Sequence, residues 1–250
     1  MKLSRRARRI ISVLSLLVFV GGWLIVSPKS YETVPVENQT AEPLGVSTST
    51  DGNQNLSADT TRAADILERL EIKGRAPKTG YARTEFYNSW PSISGCSLRQ
   101  IIIKRELGDA AKLADNGCDV VSGEFIESYT GSKMVFYQKS DFSNKIQIDH
   151  IVALSDAWQK GAQNKTKEER YQMATDPLNL IAVDASANKQ KSDGDAATWL
   201  PPNKAFRCQY AARQVSVKYK YGLWVSQAEH DAISQILGTC PNEPAVGVEL

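Results

Sequence analysis

The sequence predicts an α+β domain, mostly helical with short strands, organised around residues 146–195 and held by disulfides. Three observations carry this. The first is the stretch itself. Ile146 to Val152 alternates apolar and polar residues and reads as a strand turning near the adjacent Asp149 and His150. Leu180 to Val183 is a short apolar strand, and Ser186 has the residue type of an N-cap for a helix from Ala187 to Asp193. The second is helix punctuation around that stretch. Thr166 to Glu169 and Ser226 to Glu229 have capping-box spacing, and Asp176-Pro177 stops the helix that follows the first box. The third is cysteine usage: all four cysteines lie beyond the apolar N-terminal segment.

In chain order, Lys2, Arg5, Arg6, Arg8 and Arg9 precede a charge-free run of 17 residues, Ile10 to Val26. A positive end before an apolar core is an export signal peptide or a signal anchor. Pro28 follows Ser27 without an Ala-x-Ala pattern. This slightly favours a retained anchor, with the cations inside and the domain outside. Residues 27–60 are rich in Ser, Thr, Asn, Pro and Glu and too poor in large apolar groups to fold, so they read as a flexible tether. The folded domain spans 61–250. Ala64, Ile66, Leu67, Leu70 and Ile72 give a short amphipathic helix, and Lys73 to Arg83 is a basic loop. Phe86, Tyr87 and Trp90 are core or docking aromatics. Leu98 to Leu107 is a helix, and Val120–Val121 and Met134–Tyr137 are strands around a turn at Tyr129 to Ser132. The spacing of Phe206, Tyr210, Val217 and Tyr221 predicts a long helix over 205–221, and Gly238 is the expected C-cap of the last helix.

An even cysteine count in an exported chain implies two disulfides, for which sequence allows three pairings. Cys96–Cys118 and Cys208–Cys240 are favoured because shorter loops close at lower entropic cost. No C-x-x-C spacing is present, which argues against a zinc site.

The net charge is +2, but without the five N-terminal cations the remainder holds 25 basic against 28 acidic residues. The domain is therefore not broadly basic. Local cationic stretches remain: residues 72–105 hold seven Lys or Arg against one Glu, and 186–220 seven against two Asp. A local groove for a polyanion is compatible with that distribution.

The order Asp149-His150, Asn179, then Asn188 with Lys191 three residues on, resembles the HNH nucleases of the Asp-His, Asn, Asn-x-x-Lys variety. The phrases at 193–204 and 220–225 resemble exported bacterial members, and the resemblance spans about residues 70–240. It implies a ββα-metal (HNH, or His-Me finger) core and a metal-dependent endonuclease of low sequence specificity. The implied substrate is DNA more than RNA. In that reading His150 is the expected general base, and Asn179 belongs to the catalytic set by orienting the His150 loop. Asp149 and Asn188 offer hard oxygen ligands, which suit Mg²⁺ or Mn²⁺ better than zinc. Lys191, on the helix face of Asn188, is a candidate phosphate contact, followed by Lys189, Arg83 and Arg99. Related sequences often carry an acid at the position of Ser97, which bears on Arg99. Asp193 and Asp195 either buttress the lysines or bind metal. The competing expectations are a non-catalytic envelope-anchored binding module and a hydrolase of another phosphodiester polymer. The implied location is extracellular, or anchored to the outer side of the cytoplasmic membrane through the N-terminal segment if that is not cleaved. No protein partner is evident.

Overall fold

A computed structural model describes residues 61–137 and 145–247. The expected signal or anchor at 1–26 and tether at 27–60 lie outside the described residues. Among the described residues, no helix is long and apolar enough to cross a membrane.

The architecture is mixed α and β with short strands. In order come α1 (Ala63–Leu67), β1 (Ser92–Ile93), β2 (Cys96–Ser97), α2 (Leu98–Leu107), β3 (Lys112–Leu113), β4 (Val120–Ile126) and β5 (Lys133–Phe136). Next are β6 (Ile146–His150), α3 (Leu154–Gln159), α4 (Lys167–Thr175), β7 (Leu180–Asp184), α5 (Ala185–Lys191), α6 (Arg207–Lys220) and α7 (Gln227–Gly238). The strands form an antiparallel β1–β2 pair, a β3–β4–β5 sheet and an antiparallel β6–β7 pair.

The β6–β7 ribbon is the centre. It runs in register from Ile146 opposite Asp184 to His150 opposite Leu180. Both faces of β7 are covered. Leu180 and Ala182 pack with α2 through Leu98, Ile102 and Ile103. Ile181 and Val183 pack with Ala187, Phe206, Tyr210 and Tyr129. A strand buried on both faces reads as a continuous apolar run, which is why Leu180 to Val183 lacks alternation. A separate cluster joins α1, α6 and α7 through Ile66, Leu67, Val215, Ile233 and Leu237.

The disulfides are Cys96–Cys118 and Cys208–Cys240, with Cα separations of 5.2 and 6.4 Å. They staple β2 to the approach of β4, and α6 to the residue two beyond α7.

Several boundaries differ from expectation, each for a local reason. The first helix stops at Leu67, because Ile72 makes a parallel bridge to Val225 instead of a further helical turn. The N-cap of α5 is Asp184, not Ser186: the last strand residue accepts a hydrogen bond at Oδ1 from Ala187 N at 2.8 Å. The helix then ends at Lys191, where Ser192 takes a positive φ of 53°. Strand β6 stops at His150, not Val152. The Thr166–Glu169 box forms in full, but the Ser226–Glu229 box forms by half. Ser226 accepts from Glu229 N, while the Glu229 carboxylate is drawn into a buried charge cluster. Gly238 is the last residue of α7, and Thr239 is the C-cap.

Candidate active site

The site grows out of the end of β6. The strand ladder ends at the His150–Leu180 pair, and Asn179 then takes over its hydrogen bonds. Its backbone carbonyl accepts from Ile151 N at 2.8 Å, and its side-chain Oδ1 accepts from Val152 N at 2.8 Å. Its Nδ2 donates to the carbonyls of Met173 at 3.3 Å and Val152 at 3.5 Å. Asn179 is fully buried and braces the turn that follows His150. Arg105 and Arg213 brace the segment from the other side, donating to the Pro177, Leu178 and Leu180 carbonyls at 2.5–2.9 Å.

That turn opens on a cavity of about 350 Å³ lined by Asp149, His150, Ala153, Leu154 and Ser155 from one side and Asn188 and Asp193 from the other. Lys78, Tyr81 and Arg83 of the basic loop complete the wall. A second groove beside it shares Arg83, Ile148 and Asn188 and adds Trp90, Arg99, Ile146 and Gln147.

His150 is 4% exposed, beside the paired rings of Trp90 and Tyr87, each 6.0 Å away by centroid. Burial pulls its pKa down to about 4, against the opposing pull of Asp149, so the ring is neutral at neutral pH. Its Nε2 lies 2.9 Å from the Ala174 carbonyl. A carbonyl only accepts, so Nε2 carries the proton and Nδ1 is left as the basic nitrogen.

Asp149 is buried beside it. Its Oδ2 accepts from the Tyr129 hydroxyl at 2.6 Å and pairs with Lys191 Nζ at 2.8 Å. Lys191 also donates to the His150 carbonyl at 2.8 Å. The structure therefore buries the Lys191 ammonium between Asp149 and the His150 carbonyl, and not on the surface where a phosphate would arrive. Lys189 is exposed and lines neither cavity. Arg83 lines both, its guanidinium donating to the Tyr87 hydroxyl. Arg99 lines the second groove and donates to the Ile146 carbonyl at 3.3 Å. Asn188 donates through Nδ2 to Gln147 Oε1 at 2.8 Å, so its amide oxygen is the end left for a ligand.

The donors present fit a magnesium-like ion. Asp149 and Asn188 both line the cavity with hard oxygens, and a site with two protein oxygens leaves its remaining positions to water or phosphate. Among the described residues, the one cluster of three side chains of metal-ligating type is Cys208, Cys240 and Glu243, and both of those thiols are consumed in a disulfide.

Two features were not legible beforehand. Tyr129 read as a turn residue, because nothing in a sequence connects it to a carboxylate twenty positions away. The second is a cluster of three buried acids with two buried lysines and the solvent-accessible Arg75. Lys160 contacts Asp156, Asp195 and Glu229 at 2.7–2.8 Å, Lys218 contacts Asp156 and Glu229 at 3.0–3.2 Å, and Arg75 contacts Asp156 and Asp195 at 2.6–3.1 Å. Asp195 therefore serves this cluster. Asp193 remains at the cavity, paired with Lys78 at 2.9 Å and accepting from Ser155 at 3.1 Å.

Residues 102–236 match the family described as GmrSD restriction endonucleases, C-terminal domain. The chain belongs to this family. The matched segment contains the whole β6–β7–α5 unit, with Asp149, His150, Asn179 and Asn188. The chain is also similar to a protein from Arthroderma benhamiae described as an uncharacterized secreted protein. It is 33% identical over 181 residues, covering 71% of this chain and 84% of the relative. No solved structure matches the chain.

Proposed function

We propose that this family member is a metal-dependent endonuclease with a ββα-metal core, hydrolysing phosphodiester bonds of DNA, and of RNA less readily, with little sequence specificity. One observation carries the reading above all. A buried neutral histidine with its Nε2 proton fixed on a backbone carbonyl sits next to a carboxylate at the mouth of a polar cavity. Phosphodiester hydrolysis needs a base for the attacking water and positive charge at the phosphate and leaving oxygen. His150 Nδ1 supplies the base. The Ala174 carbonyl holds the tautomer and stabilises the imidazolium that forms when the proton arrives. Asn179 keeps the loop and hence the ring in place. Asp149 and Asn188 would hold Mg²⁺ or Mn²⁺, which when bound supplies positive charge to the phosphate and leaving oxygen. Arg83 stands between the two grooves, where it can hold a flanking phosphate, with Arg99 further along. Lys189 has the exposure for a peripheral phosphate contact.

The low specificity follows from the absence, among the described residues, of a separate element shaped to read a base-pair groove. Export is supported by the two disulfides and by the relative's description as secreted. An N-terminal export signal at 1–26, either retained as an anchor or cleaved, belongs to the same proposal; a mature N-terminus near residue 28 would favour cleaved secretion over anchoring. Protease added to intact cells should remove the domain, and a protected domain would overturn the orientation.

The test is digestion of plasmid, linear duplex, single-stranded DNA and RNA by the oxidised chain, with Mg²⁺ or Mn²⁺ and with EDTA. His150→Ala should lose about 10²–10⁴ in rate while binding metal as before. Asp149→Ala should weaken metal binding and recover in part with excess Mn²⁺. An intact chain that leaves every substrate uncut across divalent ions refutes the proposal. A His150→Ala variant that loses the metal refutes the division of roles.

A further inference from the structure

Asp149 is held more elaborately than a metal ligand needs. Both of its hydrogen-bonding partners, the Tyr129 hydroxyl and the Lys191 ammonium, converge on Oδ2. Asp149 also lines the cavity, so Oδ1 is the oxygen left to face it. Both partners are themselves packed and hydrogen-bonded. Tyr129 sits in a turn built on the buried Glu127 carboxylate, which accepts from Tyr129 N, Thr130 N and Thr130 Oγ1 at 2.7 Å each. The turn passes Gly131 at φ +72°, where an added Cβ would meet the Asn203 side chain at 3.3 Å. Asn203 closes it by donating to the Ser128 and Tyr129 carbonyls at 3.0 and 2.9 Å. The Tyr129 ring is wedged against Trp199, Phe206 and Tyr210. Lys191 closes α5 and is fully buried, and its second bond goes to the carbonyl of His150.

We infer that Tyr129 and Lys191 are positioning residues that present a single oxygen of Asp149 to the metal and cancel its charge. This rests on the nuclease reading above. The two residues do different things. Tyr129 is neutral and fixes the orientation of the carboxylate. Lys191 adds one positive charge to the one negative charge of Asp149, and Asn188 adds none. A divalent ion in this site therefore keeps nearly its whole charge for the phosphate. The same cancellation makes the ion weakly held, since a buried cation one carboxylate away opposes it. Lys191 also ties the Asp149 side chain to the His150 backbone, so ligand and base share one anchor.

The two substitutions should move metal affinity in opposite directions, which a merely structural role does not do. Calorimetric titration of the full, oxidised chain with Mn²⁺ and with Mg²⁺ reads this directly. Tyr129→Phe removes only the orienting bond, and affinity should fall about tenfold. Lys191→Met removes the opposing charge and leaves a carboxylate in need of a cation. Affinity should rise about tenfold, because the loss of charge repulsion exceeds the loss of one bond. Cleavage at saturating metal should fall at least tenfold in both. If Lys191→Met is too unstable for calorimetry, the rise in melting temperature on adding Mn²⁺ is read instead, and it should exceed that of the wild type. Metal affinity that falls in both variants, or changes in neither, overturns the inference while wild-type metal binding leaves the nuclease reading standing. A wild-type chain that binds neither ion overturns both.

Discussion

Asn179 offers the clearest quantitative handle on how the fold serves the site. Its side chain is the partner of the buried Val152 N–H at 2.8 Å and a donor to the Met173 carbonyl at 3.3 Å. Asn179→Ala leaves that N–H without a partner, in a segment where Val152 is 1% exposed and water has no access. An orphaned buried donor costs about 1–3 kcal/mol, and the poorly satisfied carbonyl brings the total to roughly 2–3 kcal/mol. For a domain of this size that corresponds to a fall of about 5–10 °C in melting temperature. Catalysis should suffer more than stability, since at 20 °C the variant is still folded but the turn after His150 has lost its brace. The companion variant Asn179→Asp separates hydrogen bonding from size. It keeps the acceptor for Val152 N but turns an acceptor towards the Met173 and Val152 carbonyls. It should be more destabilised than the alanine variant at pH 7, and should recover as pH falls. Its buried carboxyl has a folded pKa raised above the unfolded value, so stability is retained below about pH 4 and lost as pH rises. Urea melts at pH 4.5 and 7, beside single-turnover cleavage, measure all of this. An alanine variant with wild-type stability, or an aspartate variant indifferent to pH, refutes the reasoning.

Other outcomes follow from the charges and staples. Lys160→Met leaves three buried carboxylates with two cations and should cost about 3–5 kcal/mol in a denaturant melt; an unchanged midpoint would show that the cluster carries no net stability. Burial pushes Asp195 up, but bonds and charge from Lys160 and Arg75 hold it well below the usual carboxylate range. The Lys78 ammonium likewise lowers Asp193, and Asp176 is lowered, against burial, by Lys220 and Tyr221. These folded values lie below the unfolded value of about 3.9, so their stabilisation is complete above that pH and is lost as pH falls through it. Thermal melts should hold from pH 7 to 5 and drop steeply between 4 and 2; a flat profile over that range contradicts the pairing. Thiol labelling of denatured, unreduced protein should find no free cysteine, and reduction should cost roughly 2–5 kcal/mol per bridge. Four reactive thiols would overturn the disulfides and the exported setting together.

Much of this protein is local and was therefore readable from the chain. The α+β class, the order of strand, strand and helix, the Thr166–Glu169 capping box and the stop at Asp176-Pro177 depend on periodicity and on contacts a few residues long. The favoured disulfide pairing matched as well, because loop closure favours near neighbours. Asp149, His150 and Asn188 line one cavity because β6 and α5 meet there, as the motif order implied. The assignments that needed more than local information came out differently. Ser186 and Asp184 are both acceptable caps by type, and only the strand running straight into α5 makes Asp184 the one used. Glu229 is at the right spacing to complete a box, yet two buried lysines, Lys160 just past α3 and Lys218 on α6, claim its carboxylate. Lys191 is a cation three residues beyond Asn188, which on a helix in isolation means a solvent-facing neighbour. Packing of α5 against β6 turns it inward, and a buried ammonium must find an acid, so it takes Asp149. The chain by itself determines which residue types stand at which spacing, because composition and short spacing are written in it. Which of Lys189 and Lys191 faces solvent and which pairs with the carboxylate depends on burial, and burial exists only once the elements have packed.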